Sequence, residues 1–430
     1  MNHFYYAWLP SEERLRIETL EPFDEQEIWH EKCAHYLITL ACKSEQLSSV
    51  FKKDFLLPHF TPCTTSDAIS RPTAEGKVTA TSVDEDAYCQ RFAHTATLVT
   101  VDEREYAILI GGFGTSTNGR HGRMSTVAWV DLTSMESGHV KISPAADVTT
   151  SLEALQLDRC YHCACAVSKD RVLVLFGRYS PQKPVKSIVL LRFYKAQECG
   201  DTSVARLSAT AELLPFNLEQ CDIPFRWRSS AVTCQDGKTV LVTGGLTTGG
   251  IVLSDCLLFH MEDMRVEKLQ NLPFPMNSHC MATIEQNERN CQLVVGGLQR
   301  TDFGICTDLL QFDGTTWHKV ASLPLSDVGY GMSCHLMGDG EHQSLALIGG
   351  SSPNEQWHTN RHDLNVIKLH AAADNVERLG INWENRQPIL LMNHDSVTYK
   401  DAIHVFGGGG NCFSFGTLLN PGIIKIAINL

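Results

Sequence analysis

Residues 107–112 read AILIGG, and the same phrase returns as VLVLFG at 172–177, VLVTGG at 240–245, QLVVGG at 292–297, LALIGG at 345–350 and IHVFGG at 403–408. Each is an apolar run of about four residues closed by a glycine pair or, once, by Phe176-Gly177. The last glycines, at 112, 177, 245, 297, 350 and 408, recur every 52 to 68 residues. Self-similarity at such a period marks a repeat architecture. The runs are too short for helices and rich in β-branched residues, so each predicts a buried strand ended by its glycines.

The flanks repeat as well. Upstream of each run lies another short strand, opening RFAHTATLV (91–99), RCYHCACAV (159–167), RWRSSAVTC (226–234), NSHCMATI (277–284), GYGMSCHLM (329–337) and NHDSVTY (393–399). Downstream come one or two more apolar segments: TVAWVDL, SIVLLRF, DCLLFHM, DLLQFDGTTWHKV and DLNVIKL. About four strands in roughly 50 residues is the signature of a propeller blade. The units resemble kelch repeats, most fully in the fourth, where Trp317 accompanies the glycine pair; Phe176-Gly177 is a departure. The expected fold is all-β, a six-bladed kelch-like β-propeller over 89–430. Only GIIKIAIN (422–429) follows the last glycine-rich stretch, so another strand from the opposite end of the repeat region is expected to complete the last blade.

Composition fits a large globular core: 43% hydrophobic and 20% charged residues in 430. A formal charge of −13 argues against a surface-wide nucleic-acid coat while leaving room for a local basic site. No stretch is long and apolar enough for a membrane helix, and no membrane partner is expected. Sixteen cysteines fall below the density of a disulfide scaffold, and many sit within strand patterns, as Cys163, Cys165, Cys234 and Cys280 do. They read as reduced core thiols of a cytoplasmic protein.

Residues 1–57 lie outside the repeat. A helix is expected from Asp24, its N-cap, with Ile28, Ala34, Leu37, Ile38 and Ala41 on one face that needs a partner. Residues 58–88, rich in Thr, Ser and Pro, read as a linker. Glu21-Pro22-Phe23-Asp24-Glu25, Trp29-His30 and Cys33-Ala34-His35-Tyr36 resemble the closing segment of the methyltransferase domain in the tRNA wybutosine-synthesizing protein 4 (leucine carboxyl methyltransferase 2) family. The stretch from Gly409 to Thr417, with Asn420-Pro421, resembles that family's C-terminus. The resemblance implies S-adenosylmethionine as cofactor and phenylalanine tRNA as partner, with methylation and methoxycarbonylation of the wybutosine precursor at guanine 37. It also implies that 1–57 is the remnant of a methyltransferase domain, as in a fragment or short isoform, because no glycine-rich strand-to-helix turn precedes residue 51. On that reading the chain is inactive alone and its catalytic residues are unknown. The competing class is a non-enzymatic interaction module with a protein partner at the channel mouth.

Arg91, Arg159 and Arg226 each stand three residues before His94, His162 and Ser229. Equivalent blade positions share a face, so these arginines form either a half ring that clamps phosphate or carboxylate, or struts paired to neighbouring loops. Met276, Val328 or a neighbour, and Leu391 take that place in the other units. His94, His162, His279 and His394 read as structural, each bonding a backbone group. Cys160, His162, Cys163 and Cys165 lack a second cysteine pair, and strand alternation sets His162 opposite Cys163 and Cys165; no metal is expected. Asp24, Glu27 and Glu31 read as one face of a capped surface helix. Lys52-Lys53, Arg120 to Arg123, and Lys183 with Lys186 are basic clusters that read as solvated surface, with tRNA phosphates the alternative.

Overall fold

The structure is a computed structural model that describes residues 74–83 and 88–428 apart from interspersed segments, of which 197–206 is the longest. The expected helix from Asp24, its acidic face, Lys52-Lys53 and the whole of 1–57 lie outside the described residues.

Every glycine-terminated run is the second strand of a sheet. The first sheet is Thr95–Val101, Arg104–Ile110, Ala128–Asp131 and Ser137–His139. The second orders Cys163–Ser168, Arg171–Leu175, Val189–Lys195 and Leu207–Leu213, with Lys141–Pro144 added in parallel at the outer edge. Ser230–Thr233, Thr239–Thr243, Cys256–His260 and Arg265–Leu269 make the third; Cys280–Gln286, Arg289–Val295, Asp308–Phe312 and Trp317–Ser322 the fourth. A nine-stranded sheet holds the main strands of the last two repeats. One half is Tyr330–Met337, Ser344–Pro353, Leu364–Lys368 and Val376–Trp383, with His358–Asn360 off the main path. Its other half, inner strand first, is Asp395–Tyr399, Ala402–Phe406, Ile423–Ile428 and Ala74–Val83.

The strand Ala74–Val83 lies inside the stretch read as linker, and it corrects that reading. It pairs antiparallel with Ile423–Ile428, from Val78 opposite Ile428 to Val83 opposite Ile423, and so covers the edge that the last run would otherwise expose. Ala80 is fully buried against Ile424 and Ile426. Its Thr and Ser residues gave the segment a linker's composition, while Thr79 and Thr81 alternate with Ala80 as in a pleated strand.

The core is distributed between sheets. One apolar cluster joins Ile108 and Ile110 to Val172 and Val174; others join Leu173 to Val240, Leu241 to Val294, and Leu293 to Leu345. Ala346 and Ile348 pack with Ile403 and Val405, and Phe406 and Ile423 pack back onto Ala107 and Leu109 of the first sheet.

Two cycles of backbone hydrogen bonds follow the same path. In one, Tyr161 N–H donates to the Ala93 carbonyl (2.9 Å), Arg228 to Tyr161 (2.9 Å), Ser278 to Arg228 (2.8 Å), Gly331 to Ser278 (3.2 Å), Asn393 to Gly331 (3.1 Å) and Ala93 to Asn393 (2.8 Å). In the other, the last glycine of each run donates to the next sheet: Gly112 to Arg159, Gly177 to Arg226, Gly245 to Met276, Gly297 to Gly329, Gly350 to Leu391 and Gly408 back to Arg91. This fixes the neighbour of Val328 as Gly329. The glycine at 407 is obligatory in this packing: its φ is +58, and a Cβ there would run into the Arg91 carbonyl.

The described cysteines carry no disulfide, and most are buried. Burial pushes the Cys163 thiol up to about 11, which keeps it protonated and inert.

Candidate functional site

The first hydrogen-bond cycle marks the place where each chain segment turns into its inner strand. Ala93, Tyr161, Arg228, Ser278 and Asn393 all have positive φ, between 50 and 57 degrees, and Gly331 has +65. Bulky residues such as Tyr161 and Arg228 adopt this conformation only at a cost, which the closed cycle of hydrogen bonds offsets. The residue before each turn pairs with the residue after each glycine-terminated run: Phe92 with Phe113, Cys160 with Arg178, Trp227 with Leu246, Asn277 with Leu298 and Tyr330 with Ser351. A hairpin rises from several of these bridges, among them Phe113–Thr115 with His121–Arg123 and Arg178–Ser180 with Lys183–Pro184. Each of these hairpins therefore lies beside the turn of its own repeat.

Cations lie on aromatic rings along this face. The Arg228 guanidinium is 4.3 Å from the centroid of the Tyr161 ring, and Arg178 is 5.0 Å from Tyr161 and 5.1 Å from Trp227. Arg178 is only 4% exposed, whereas Tyr161 and Arg228 are half-buried. The next residue, Tyr179, carries Arg123 at 4.8 Å and Lys183 at 5.1 Å, and Arg123 Nη1 donates to the Tyr179 carbonyl at 3.0 Å. Lys186 lies 5.2 Å from Phe225 and pairs with Glu219 at 2.9 Å. A second carboxylate is present: Asp158 accepts the Tyr179 hydroxyl at 2.7 Å and sits 3.7 Å from Arg123 Nε. Basic groups interleaved with aromatic faces suit a single nucleic-acid strand, since the cations follow phosphates and the rings accept any base.

Arg91, Arg159 and Arg226 are elsewhere. All three are fully buried, and of the two alternatives, clamp or strut, the strut is the one their contacts describe. Arg91 donates to the carbonyls of Tyr88, Gly111 and Thr126. Arg159 donates to Phe176 and Ser187 and to Leu155 and Gln156, the last carbonyls of a one-turn helix, Leu152–Leu155. Arg226 bonds the Gly244 carbonyl and grips Asp255 with both terminal nitrogens, at 2.7 Å from Nη2. Each guanidinium thus fastens the glycine-terminated run of its own sheet. The signal for the arginines on the aromatic rings was present but differently placed: Arg178 follows Phe176-Gly177, and Arg228 stands two residues after Arg226.

The histidines are structural, but they bond hydroxyls of the preceding sheet instead of backbone groups. His162 Nε2 meets Thr95 Oγ1 at 2.8 Å, His279 Nε2 meets Thr243 Oγ1 at 2.7 Å, and His394 Nε2 meets Ser333 Oγ at 3.0 Å. His94 has neither ring nitrogen hydrogen-bonded. Burial holds His279 and His394 down at about 3 and lowers His94 and His162 well below 6.5. Cys163 donates to the Ser229 carbonyl at 3.1 Å, toward the third sheet, while His162 faces the first; the alternation separates them.

The described residues do not fit S-adenosylmethionine. A nucleotide-cofactor cradle needs glycine N–H groups turned outward, whereas here the last glycine of each run donates its N–H to the neighbouring sheet.

A family model described as "tRNA wybutosine-synthesizing protein 4, beta-propeller" matches residues 226–422. The whole chain aligns at 29% identity over 446 positions with the human tRNA wybutosine-synthesizing protein 4, covering 60% of that protein. The rat protein of that name gives 29% over 449 positions with the same coverage, and the Candida glabrata protein 21% over 423, covering 96% of this chain and 54% of that one. The chain therefore spans about 60% of the length of the mammalian relatives. A strand-dominated architecture, a β-propeller model matched over residues 226–422 and an alignment throughout the chain make this protein similar to the tRNA wybutosine-synthesizing protein 4 proteins.

Proposed function

We propose that this chain is the six-bladed, kelch-like propeller portion of a wybutosine-synthesizing protein, and that its hairpin face holds phenylalanine tRNA for modification. The full protein, on this reading, joins the propeller to an S-adenosylmethionine-dependent methyltransferase domain that carries out the methylation and methoxycarbonylation in the cytoplasm. The two cycles of hydrogen bonds support the blade number, because each takes one residue from every repeat and returns to its start. The observation that carries the functional reading is the track of Arg123, Lys183, Arg178 and Arg228 laid on Tyr179, Tyr161 and Trp227, in a chain whose net charge is −13. Local cations against a negative background concentrate RNA at one face.

The test is binding of phenylalanine tRNA to this chain across a salt series. Affinity should fall steeply with salt, and reversing Arg123 and Lys183 to Glu should weaken binding at least tenfold while leaving the melting temperature in place. Salt-independent binding, or binding indifferent to the reversal, would refute the tRNA face. A protein-interaction module would instead show no tRNA affinity, and joining it to the methyltransferase domain would give no methyl transfer to precursor tRNA.

A further inference from the structure

We propose that Asp158 reads a nucleobase: its carboxylate, held beside the Tyr179 hydroxyl, accepts the Watson–Crick edge of an unmodified guanine in the bound RNA strand. That the base belongs to RNA rests on the reading above; that it is guanine rests on the donors and acceptors around Tyr179.

Asp158 is placed by its neighbours. Arg159, the next residue, is fully buried and fastened to the carbonyls of Leu155, Gln156, Phe176 and Ser187. Cys160 then bridges to Arg178, which sets the segment leading into it beside Tyr179. There the Tyr179 hydroxyl donates to Asp158 Oδ1 at 2.7 Å. Burial and the neighbouring Asp158 push that phenol up to about 12, so it stays a donor. Asp158 Oδ2 lies 3.7 Å from Arg123 Nε, within ion-pair range but too far for a hydrogen bond. The Asp158 side chain is 29% exposed, so this oxygen is open to a ligand from solvent.

A carboxylate on a face that collects phosphates lowers the affinity for any strand, and neither of its contacts requires one. Water serves a half-buried hydroxyl almost as well, and a loose, exposed ion pair contributes little. What the carboxylate adds is a group that only accepts. The exposed edge of a single-stranded guanine presents two adjacent donors, N1–H and the 2-amino group, which meet a carboxylate through two parallel bonds. Each carboxylate oxygen has two acceptor positions, so Oδ1 keeps one after its bond from Tyr179. Cytosine, adenine and uracil each set an acceptor beside their donor, and that acceptor would face a carboxylate oxygen. The phosphates are kept off Asp158 by charge and drawn to Arg123 and Lys183, 4.8 Å and 5.1 Å from the centroid of the Tyr179 ring. The acceptor for the base and the cations for the backbone therefore lie one tyrosine side chain apart, within the compass of one nucleotide.

The experiment titrates the 430-residue chain, as parent and as Asp158→Asn, with short oligouridines whose central nucleotide is guanosine, inosine, adenosine, cytidine or uridine, at one salt concentration. Inosine keeps N1–H but lacks the 2-amino group. The parent should bind the guanosine strand about tenfold more tightly than the adenosine, cytidine and uridine strands, with inosine between them. Asparagine keeps the shape of the side chain and an acceptor for the Tyr179 hydroxyl but puts a donor in place of the other oxygen. Asp158→Asn should therefore cut the guanosine preference to about twofold or less, while the all-uridine strand binds as tightly as before or more so. A parent that binds every strand alike, or prefers another base, overturns the guanine assignment and leaves the tRNA face standing. The same holds if Asp158→Asn changes every affinity by one factor, tighter for mere charge repulsion or weaker for mere support of Tyr179 and Arg123. A parent that binds none of the strands refutes the tRNA face, and the base reading falls with it.

Discussion

The carboxylate of Asp395 accepts the backbone N–H of Ala96 at 2.7 Å, joining residues 299 positions apart in the chain. Its other oxygen accepts Ser396 N–H at 2.8 Å. This is the seam where the last inner strand meets the first. At the preceding seam the corresponding residue is Ser333, whose hydroxyl meets His394, and at the next it is Thr95, which meets His162. Asp395 turns to the backbone instead, and His94, which the same step would pair with it, is left without a hydrogen bond.

Burial raises Asp395 to about 7 despite the two N–H donors, which act the other way. The folded chain therefore keeps the Asp395 proton in a range where the unfolded chain, with an ordinary carboxyl near 3.8, has released it. The stability contributed by this group is fully present below pH 4 and is lost as pH rises to 7, by on the order of 2 kcal/mol for a partly exposed site. Asp395→Asn removes the titration. Its stability relative to the parent, read from urea midpoints, should rise steadily between pH 4 and pH 7; a constant difference would contradict the assignment.

The glycines give a graded series. Gly407→Ala sets a side chain at φ +58 against the Arg91 carbonyl, and Gly111→Ala sets one against the Arg159 carbonyl. Both obstacles are backbone in the hydrogen-bond cycle and cannot move alone. Each substitution should cost about 3 kcal/mol or more, the left-handed penalty plus displacement of the next sheet. Gly314→Ala has φ +97 with open space around it and should cost only about 1–2 kcal/mol. Equal melting temperatures for Gly407→Ala and Gly314→Ala would remove the packing argument.

What was legible in the sequence was what repetition makes legible. The runs ending at Gly112, Gly177, Gly245, Gly297, Gly350 and Gly408 predict the second strand of each repeat, because a buried strand and its glycines obey local rules. The strand Ala74–Val83 was hidden, since its partner Ile423–Ile428 lies at the other end of the chain and its Thr and Ser residues match a linker equally well. The choice between clamp and strut for the arginines was not legible for a different reason. Arg226 and Arg228 are two residues apart, yet the first is fully buried and the second is half-buried on the Tyr161 ring. The positive φ at Arg228 reverses the chain between them, and spacing alone does not reveal such a turn.

Arg226 and Asp255 form a buried, doubly hydrogen-bonded pair in the third sheet. Arg226→Met leaves the Asp255 carboxylate without its cation and removes the bond to the Gly244 carbonyl, so a loss of about 3–5 kcal/mol is expected. The double variant Arg226→Met, Asp255→Leu should recover a substantial part of that loss, because no charge is then stranded. Denaturant unfolding of the two single variants and the double variant checks this. Additive losses would mean that the pair does not act as a unit, and the strut role assigned to Arg226 would fall.

The inner histidines make the fold sensitive to acid. His279 and His394 stay neutral down to about pH 3 because burial disfavours the charged ring, while the unfolded chain takes up protons from about pH 6.5. Their contribution is therefore complete above pH 6.5 and falls as pH is lowered toward 3, by about 2 kcal/mol for each at pH 5. The direction is opposite to that of Asp395, so the net profile in the acid range is set by the larger number of histidines. His279→Gln and His394→Gln keep a side chain able to meet Thr243 and Ser333 but cannot be protonated. Each should be less stable than the parent at pH 8, where packing is impaired, and should close that gap or pass the parent by pH 5. Parallel stability curves for parent and variants from pH 8 to pH 5 would show that these rings do not govern acid unfolding, and that the seams lose their hold in acid through some other group.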